Sequence, residues 1–516
     1  MFVLPEWRSR ARRWAILLCL APPAISARAA DDLTAMLRVV PADGATTLVV
    51  ANLSELESML VMWRPLLRDT GFGAESVTAL RRLLPFADWV NVRAPLAFRP
   101  PAPGTADKAI YWLHIPQFGE KIAAQPNASE DGGLWRATDA AGVTWFAKQA
   151  DGVVILSASR INVENAGAPT RTLADVYAPH KELLGEHNLL LHLKSDAYAA
   201  RLTAALESLA QQLRVPDANN APRPLSAMAA ETLRELRMVA DQTRAAGLLF
   251  SARAEFLSAS VIFTLGDGSV RDYLKGSQPG EFCARHLTAP GLVFGAAWCE
   301  PASTSPFLGP WLNRRIGALD APLIGVLADM RAATLELMVR EQNLEARVLL
   351  SGGDMQAAAD RMTASTEHMD SVRRVLNAFR GPVEAGTPDP WYDAIAPLFP
   401  GEAGLKVSLG DGTLGMRLSK ARSADAVETS PENPLIGKSL RYLGRQAQFI
   451  MLIDPAGLLS TLNRLGLTVA PLSTLPPGPL AGIGVSLQPE SIRIDVHLPR
   501  EALDRIREAT TPSGPT

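Results

Sequence analysis

Short runs of alternating apolar and polar residues, broken by Gly, Pro and Asp, dominate the pattern along this chain. The clearest run places Leu405, Val407 and Leu409 on one face, turns at Gly410-Asp411-Gly412, and returns through Leu414, Met416 and Leu418. Lys406, Ser408 and Arg417 fall on the opposite face, which is the period-2 signature of a β-hairpin. The same grammar recurs at Leu335–Val339 with Leu344–Val348, at Ile483–Leu487 with Ile492–Val496, from Leu248 to Phe263, and from Val143 to Ile155. Such alternation predicts antiparallel sheet with one packed face and one solvated face.

Four apolar strands each lead into a helical pattern: Leu48–Ala51, Leu189–His192, Leu292–Gly295 and Phe449–Leu452. After the first, Ser54 and Glu57 have capping-box spacing, and Leu56, Met59, Leu60 and Trp63 recur at helical intervals. After the second, Tyr198, Leu202, Leu206, Leu209 and Leu213 share a helical face. Short helical patterns at Ser269–Leu274, Met355–Met362 and Glu501–Ile506 follow hairpins. The expected fold is α+β: degenerate strand–helix–hairpin–helix repeats forming long antiparallel sheets, covered by helices on one face. Unequal spacing of the leading strands excludes a regular solenoid or propeller.

The amino terminus reads as an address. Arg8, Arg10, Arg12 and Arg13 precede an apolar run from Trp14 to Ala21, and Ala27-Arg28-Ala29 supplies a small-x-small cleavage pattern. The run is too short to span a bilayer, so residues 1–29 are expected to be a signal peptide for export to a periplasm or cell envelope. Leu18 before Cys19, and Ala11 and Ala15 around Arg12-Arg13, depart from the lipoprotein and twin-arginine patterns. The mature chain has no other long uncharged apolar run. Punctuation such as Gly381-Pro382 and the proline-rich stretch from Pro471 to Pro479 marks linkers. Two lobes, 30–287 and 288–510, are expected, with a frayed tail at 511–516.

Composition narrows the function only a little. Of 516 residues 47% are hydrophobic and 20% charged, with 51 Lys and Arg against 53 Asp and Glu. That balance gives no field for nucleic acid. Cleavage would leave two cysteines, Cys283 and Cys299, a candidate disulfide in an oxidising compartment or else two buried thiols. No zinc-protease, serine-hydrolase-elbow or P-loop motif occurs, and no cofactor is implied. His180, Glu182, Glu186, His187 and His192 come nearest to a metal cluster, but the spacing fails and solvated positions are expected. His114 and His497 sit in alternating strands, His286 lies near Cys283, and Asp267, Asp411 and Asp495 are scattered. Trp311, Trp391 and Tyr392, in Pro- and Gly-bounded segments, would line a pocket or pin a loop to the core. No catalytic or metal residue is assigned.

Val40-Pro41-Ala42-Asp43-Gly44 before the first strand, and the hairpin-plus-helix passage from Leu248 to Leu274, resemble large exported proteins of unknown function common in planctomycete-type bacteria. The resemblance implies an exported α+β protein without known catalysis, and it carries no site residues. The expected function is non-enzymatic binding or structure, with an envelope protein as partner. The alternatives are a periplasmic carrier of an apolar ligand such as lipid, or a hydrolase with an unfamiliar site.

Overall fold

The computed structural model describes residues 28–194, 237–276, 291–299, 331–357, 404–419, 447–464 and 478–510, apart from interruptions, with isolated positions such as Leu287 and Leu443. The expected signal peptide up to Ala27, the Tyr198–Leu213 helix, Cys283, His286, Trp311, Trp391, Tyr392 and Asp411 lie outside the described residues. The chain is mixed α+β with extensive antiparallel sheet and forms two compact units. The described residues of the first are 28–194 and 244–264, and those of the second are 237–243 and 265–510.

In the first unit the strands are β1 (Thr46–Val50), β2 (Leu96–Arg99), β3 (Ile110–Leu113), β4 (Ser129–Asp131), β5 (Leu134–Thr138), β6 (Thr144–Ala150), β7 (Val153–Ser157), β8 (Leu189–Lys194), β9 (Thr243–Ala252) and β10 (Phe256–Leu265). They pair in the order β4-β5-β6-β7-β3-β2-β1-β8-β9-β10. The hairpin of β6 and β7 turns at Asp151 and Gly152 with φ of 49° and 77°, the two left-handed residues a type I′ turn requires. Helices α1 (Arg28–Val39), α2 (Leu53–Leu67), α3 (Phe118–Ala123), α4 (Arg160–Ala166), α5 (Leu173–Val176) and α6 (Lys181–Leu184) also belong to this unit.

Both faces of this sheet are apolar. Val49, Ala97, Trp112, Ile155, Leu190 and Leu249 pack with α1, α4 and α5 on one side. On the other side Leu48, Val50, Leu96, Phe98 and Tyr111 meet Leu53 of α2 and Leu84. Every residue of β3 and β7 is consequently buried, so the expected solvated face is absent from the sheet centre. The cap of α2 also differs from expectation. Asn52, not Ser54, opens the helix: its Oδ1 accepts the Glu55 N–H at 3.0 Å, and its Nδ2 donates to Glu55 Oε2 at 3.5 Å. β1 ends at Val50, two residues before Asn52, so the chain turns there, and the Ser54 N–H is taken by the Val92 carbonyl.

The second unit contains β11 (Leu292–Trp298), β12 (Ala332–Arg340), β13 (Asn343–Ser351), β14 (Gly404–Gly410), β15 (Thr413–Ser419), β16 (Phe449–Ile453), β17 (Ala481–Gln488) and β18 (Ser491–Pro499). Its order is β14-β15-β13-β12-β11-β16-β17-β18, all antiparallel. Helices α7 (Ser269–Gly276), α8 (Pro455–Arg464) and α9 (Arg500–Thr510) belong to this unit. With β4 and β5 set aside, the two units have the same neighbours in chain order, β1 corresponding to β11 and β8 to β16. The bonds just beyond the strands agree too: Ala51 N–H donates to Asn188 O, and Cys299 N–H to Gln448 O.

In the second unit the face expected to be wet is the buried one. Leu287, Ile436, Leu443 and Leu480 pack with Ala297, Met338, Ile450 and Leu452. On that same side, by register, lie Thr334, Glu336, Ser486, Asp495 and His497, all buried. The opposite face carries Phe294, Trp298, Leu337, Val348, Met451, Ile483 and Ile494, half-buried, together with Leu350, Leu414 and Ile492, buried, and Leu335 41% and Leu409 42% exposed. Glycines explain the choice: a Cβ on Gly482 would lie 2.5 Å from Leu443 Cδ1, and one on Gly484 2.4 Å from the Leu443 carbonyl oxygen. The small and polar side is the only one that lets that segment approach.

Candidate functional site

Among the described residues of the first unit a buried polar group centres on His192. β8 places it between Leu191 and Leu193, but those leucines point to the other face. Thr47 of β1 and Gly247 of β9 are its cross-strand neighbours. Absence of a side chain at Gly247 admits the ring of Tyr177, whose hydroxyl lies 2.9 Å from His192 Nδ1, with the rings edge to face. Arg99 closes the group. Its Nε donates to Thr47 Oγ1 at 3.3 Å and its Nη2 to the Pro41 carbonyl at 2.8 Å, while the guanidinium lies 5.3 Å from the Trp112 ring centre.

Burial sets the charge state of this group. Burial pushes His192 down to about 4, with the nearby Arg99 guanidinium adding to the effect and a backbone hydrogen bond with Ala42 opposing it. Burial raises the Tyr177 phenol. A neutral imidazole beside a protonated phenol holds no proton poised for transfer near pH 7, the condition for general acid–base work. His192 is therefore buried rather than solvated as expected, and His180 and His187 are buried as well. His187 Nδ1 is 2.7 Å from the Leu183 carbonyl oxygen. Among the described residues no three metal-ligating side chains converge.

The second unit distributes its buried charges among internal partners. Glu336 of β12 pairs with Arg347, its cross-strand neighbour on β13. Asp495 accepts from Arg493 at 2.7 Å. Asp454 caps α8 by accepting from Gly457 N–H at 2.9 Å, and its second oxygen accepts from Gly478 N–H at 2.7 Å. Burial lowers His497 to about 4. Asp267, by contrast, is exposed and pairs with Arg271. Glu55 is the carboxylate whose range reaches neutrality, raised to about 7 by burial, yet its near partner is the capping Asn52.

Two further candidates are decided by geometry. An apolar cleft between Leu48, Val50, Leu53, Leu84, Leu96, Phe98 and Tyr111 has room for about one water molecule, far below the several hundred Å³ of a ligand pocket. Gly410 to Gly415 have the spacing of a dinucleotide fingerprint, but Thr413 pairs back onto Gly410, so the segment is a hairpin and not a strand-to-helix turn. Cys299, just past β11, is disulfide-bonded. What sequence reasoning missed is the Tyr177–His192–Gly247 constellation. Its one visible signal was a lone glycine within the β9 run.

No protein-family model matches the chain, and no curated protein matches it. Among solved structures, crystal forms I and III of TP0453 are similar at 11% identity, covering 46% and 50% of this chain and 82% and 87% of that one. Their TM-scores of 0.23 and 0.22 are too low to carry an argument. Among the described residues no helix is long and apolar enough to cross a membrane.

Proposed function

We propose that this chain is an exported, non-enzymatic binding or structural protein, built from a duplicated antiparallel block whose sheet surfaces are its working parts. The observation that carries the reading is how the buried polar groups are used. His192, Glu336, Asp454 and Asp495 are each matched to a partner inside the fold, while broad sheet surface is left apolar. The shared strand order supports an old duplication, with the four leading strands β1, β8, β11 and β16 pairing two by two at the centre of each unit. Export, the resemblance to exported planctomycete-type proteins, and a Cys283–Cys299 bridge belong to the same reading. The carrier alternative draws no support from the cleft under α2, which is too small for an acyl chain.

The test is mass spectrometry of protein purified from its native envelope. A mature chain beginning near Ala30, free of bound small molecules and accompanied by a stoichiometric protein partner, is the expected result. A chain retaining Met1 overturns export, and a bound lipid overturns the reading in favour of a carrier. Turnover of an ester, glycoside or phosphate substrate by the pure protein would return the hydrolase alternative. In the same sample, non-reducing peptide mapping is expected to yield one linked peptide containing Cys283 and Cys299, and free Cys283 refutes that pairing.

A further inference from the structure

We propose that the disulfide at Cys299 is a redox latch on the second unit: closed, it keeps Leu287 seated over β11, and reduction to two thiols lets that cover lift.

The partner follows by elimination. Cys299 is disulfide-bonded, and the chain has three cysteines. Cys19 falls in the expected signal peptide, which leaves Cys283, so the latch rests on the Cys283–Cys299 pairing proposed above. Shortly after Cys283 comes Leu287, buried in one cluster with Leu292, Ala297 and Leu452. It sits on bare backbone, since a Cβ at Gly295 would lie 3.1 Å from Leu287 Cδ2. Gly295 is the cross-strand neighbour of Glu336, a fully buried carboxylate. Lifting Leu287 would therefore bring water to the backbone beside that charge.

The first unit shows that the sheet itself does not require a bridge. Ala51 stands where Cys299 does, its N–H making the matching bond. The segment before β1 is α1, which covers the sheet by packing alone through Leu33, Met36 and Leu37, all fully buried. A cover held by apolar burial stays in place in any redox state. In the second unit the tie is covalent, and it lasts only while no reductant breaks it. Cys299 is half-buried, as attack by an outside thiolate requires.

Opening takes two electrons from a dithiol. One of its thiolates attacks a sulfur of the bridge, the S–S bond breaks, and the departing cysteine leaves as a thiolate that takes up a proton. The second thiol of the reductant then displaces the other cysteine from the mixed disulfide. The protein is left with two thiols and the reductant with one disulfide.

The experiment is hydrogen exchange and thermal unfolding of the full mature chain, oxidised, reduced with dithiothreitol, and as the double variant Cys283→Ala with Cys299→Ala. Reduction should speed exchange in peptides spanning 284–292 roughly tenfold or more and leave α1 and β1 unchanged. Freeing a loop of about 16 residues should lower the second unit's melting by roughly 6–12 °C. Reoxidation should restore both readings, and the double variant should match the reduced chain with or without reductant. Oxidised Leu287→Ala should show the faster exchange with the bridge intact. Equal exchange and melting before and after reduction overturn the latch. Global unfolding of the second unit on reduction overturns it too, because the bridge would then be a staple for the whole sheet. Alkylation of Cys283 by iodoacetamide without reductant overturns the pairing and the latch with it, whereas a bridge that forms without effect overturns the latch alone.

Discussion

Gly247→Ala tests the packing at the centre of the first unit. A methyl group there would sit 2.4 Å from the Tyr177 hydroxyl oxygen, 2.6 Å from Cε1 and 2.8 Å from Cζ. Carbon contacts are relaxed only at about 3.5–4.0 Å, so the overlap approaches 1 Å against a rigid ring that is fully buried. Overpacking of this kind costs about 1–3 kcal/mol. Moving the ring also breaks the Tyr177–His192 hydrogen bond and leaves buried polar atoms unsatisfied, a further ~1–3 kcal/mol. Removing a glycine from a strand returns about half a kcal/mol, so the net loss should be about 3 kcal/mol. Urea unfolding followed by tryptophan fluorescence reads this as an earlier transition of the first unit. Gly119→Ala, with nothing within 4 Å of the added carbon and a place in α3, is the control and should be neutral or slightly stabilising. Combining Gly247→Ala with Tyr177→Leu should lose less than the sum of the two single changes, because the pair shares one space. A Gly247→Ala protein with a wild-type midpoint, or strictly additive losses, would refute the account of Tyr177 seated on bare backbone.

Acid should destabilise both units. His192 and His497 fall from 6.5 to about 4 on burial, so the unfolded chain takes up protons first as pH drops. The stabilisation they supply is complete above pH 6.5 and disappears between 6.5 and 4, at most roughly 3 kcal/mol apiece. Urea midpoints measured at pH 7.5 and 4.5 should show the loss, and His192→Gln with His497→Gln should flatten it; an unchanged slope in the double variant rejects the assignment. Glu55, half-buried and raised to about 7, works in the opposite sense and tempers the effect. For the Glu336–Arg347 pair, Glu336→Ala strands a guanidinium against the core and should cost about 3–5 kcal/mol, whereas Glu336→Leu with Arg347→Met should be close to neutral. Calorimetry of the three proteins decides it, and equal losses in both variants would mean the pair is not the determinant.

The hairpins were legible because alternation and turn chemistry are local: Asp151-Gly152 announces its own left-handed turn. The leading strands were equally plain, being short, apolar and bounded. Their pairing was not, since β1 meets β8 across more than a hundred residues that say nothing about each other. Least legible was the choice of face. Alternation states that two sides differ, and the ordinary inference sends leucine inward, but helices pack where backbone can be approached. In β17 that side is Gly482, Gly484 and Ser486, so Leu443 and Leu480 settle there and Asp495 and His497 are carried into the interior with them. His192 misled for the same reason, its flanking leucines belonging to the other surface.

The glycines also link the two units more closely than strand order does. Gly247 pairs with His192 on β8, and Gly482 pairs with Leu452 on β16, the same register position in corresponding strands. Each is filled by a bulky side chain from the segment that precedes the second leading strand, Tyr177 in one unit and Leu443 in the other. Copying a block would preserve such a hole because backbone must stay bare wherever a connecting segment presses on it. The occupants are freer to change, since a phenol needs a partner and a leucine needs none. His192 opposite Gly247 is then the consequence of a tyrosine in the hole, and Leu452 opposite Gly482 the consequence of a leucine. On this reasoning the hydrogen bond follows from the packing, and the pair at the heart of the first unit is there to satisfy a hydroxyl that the fold had already buried.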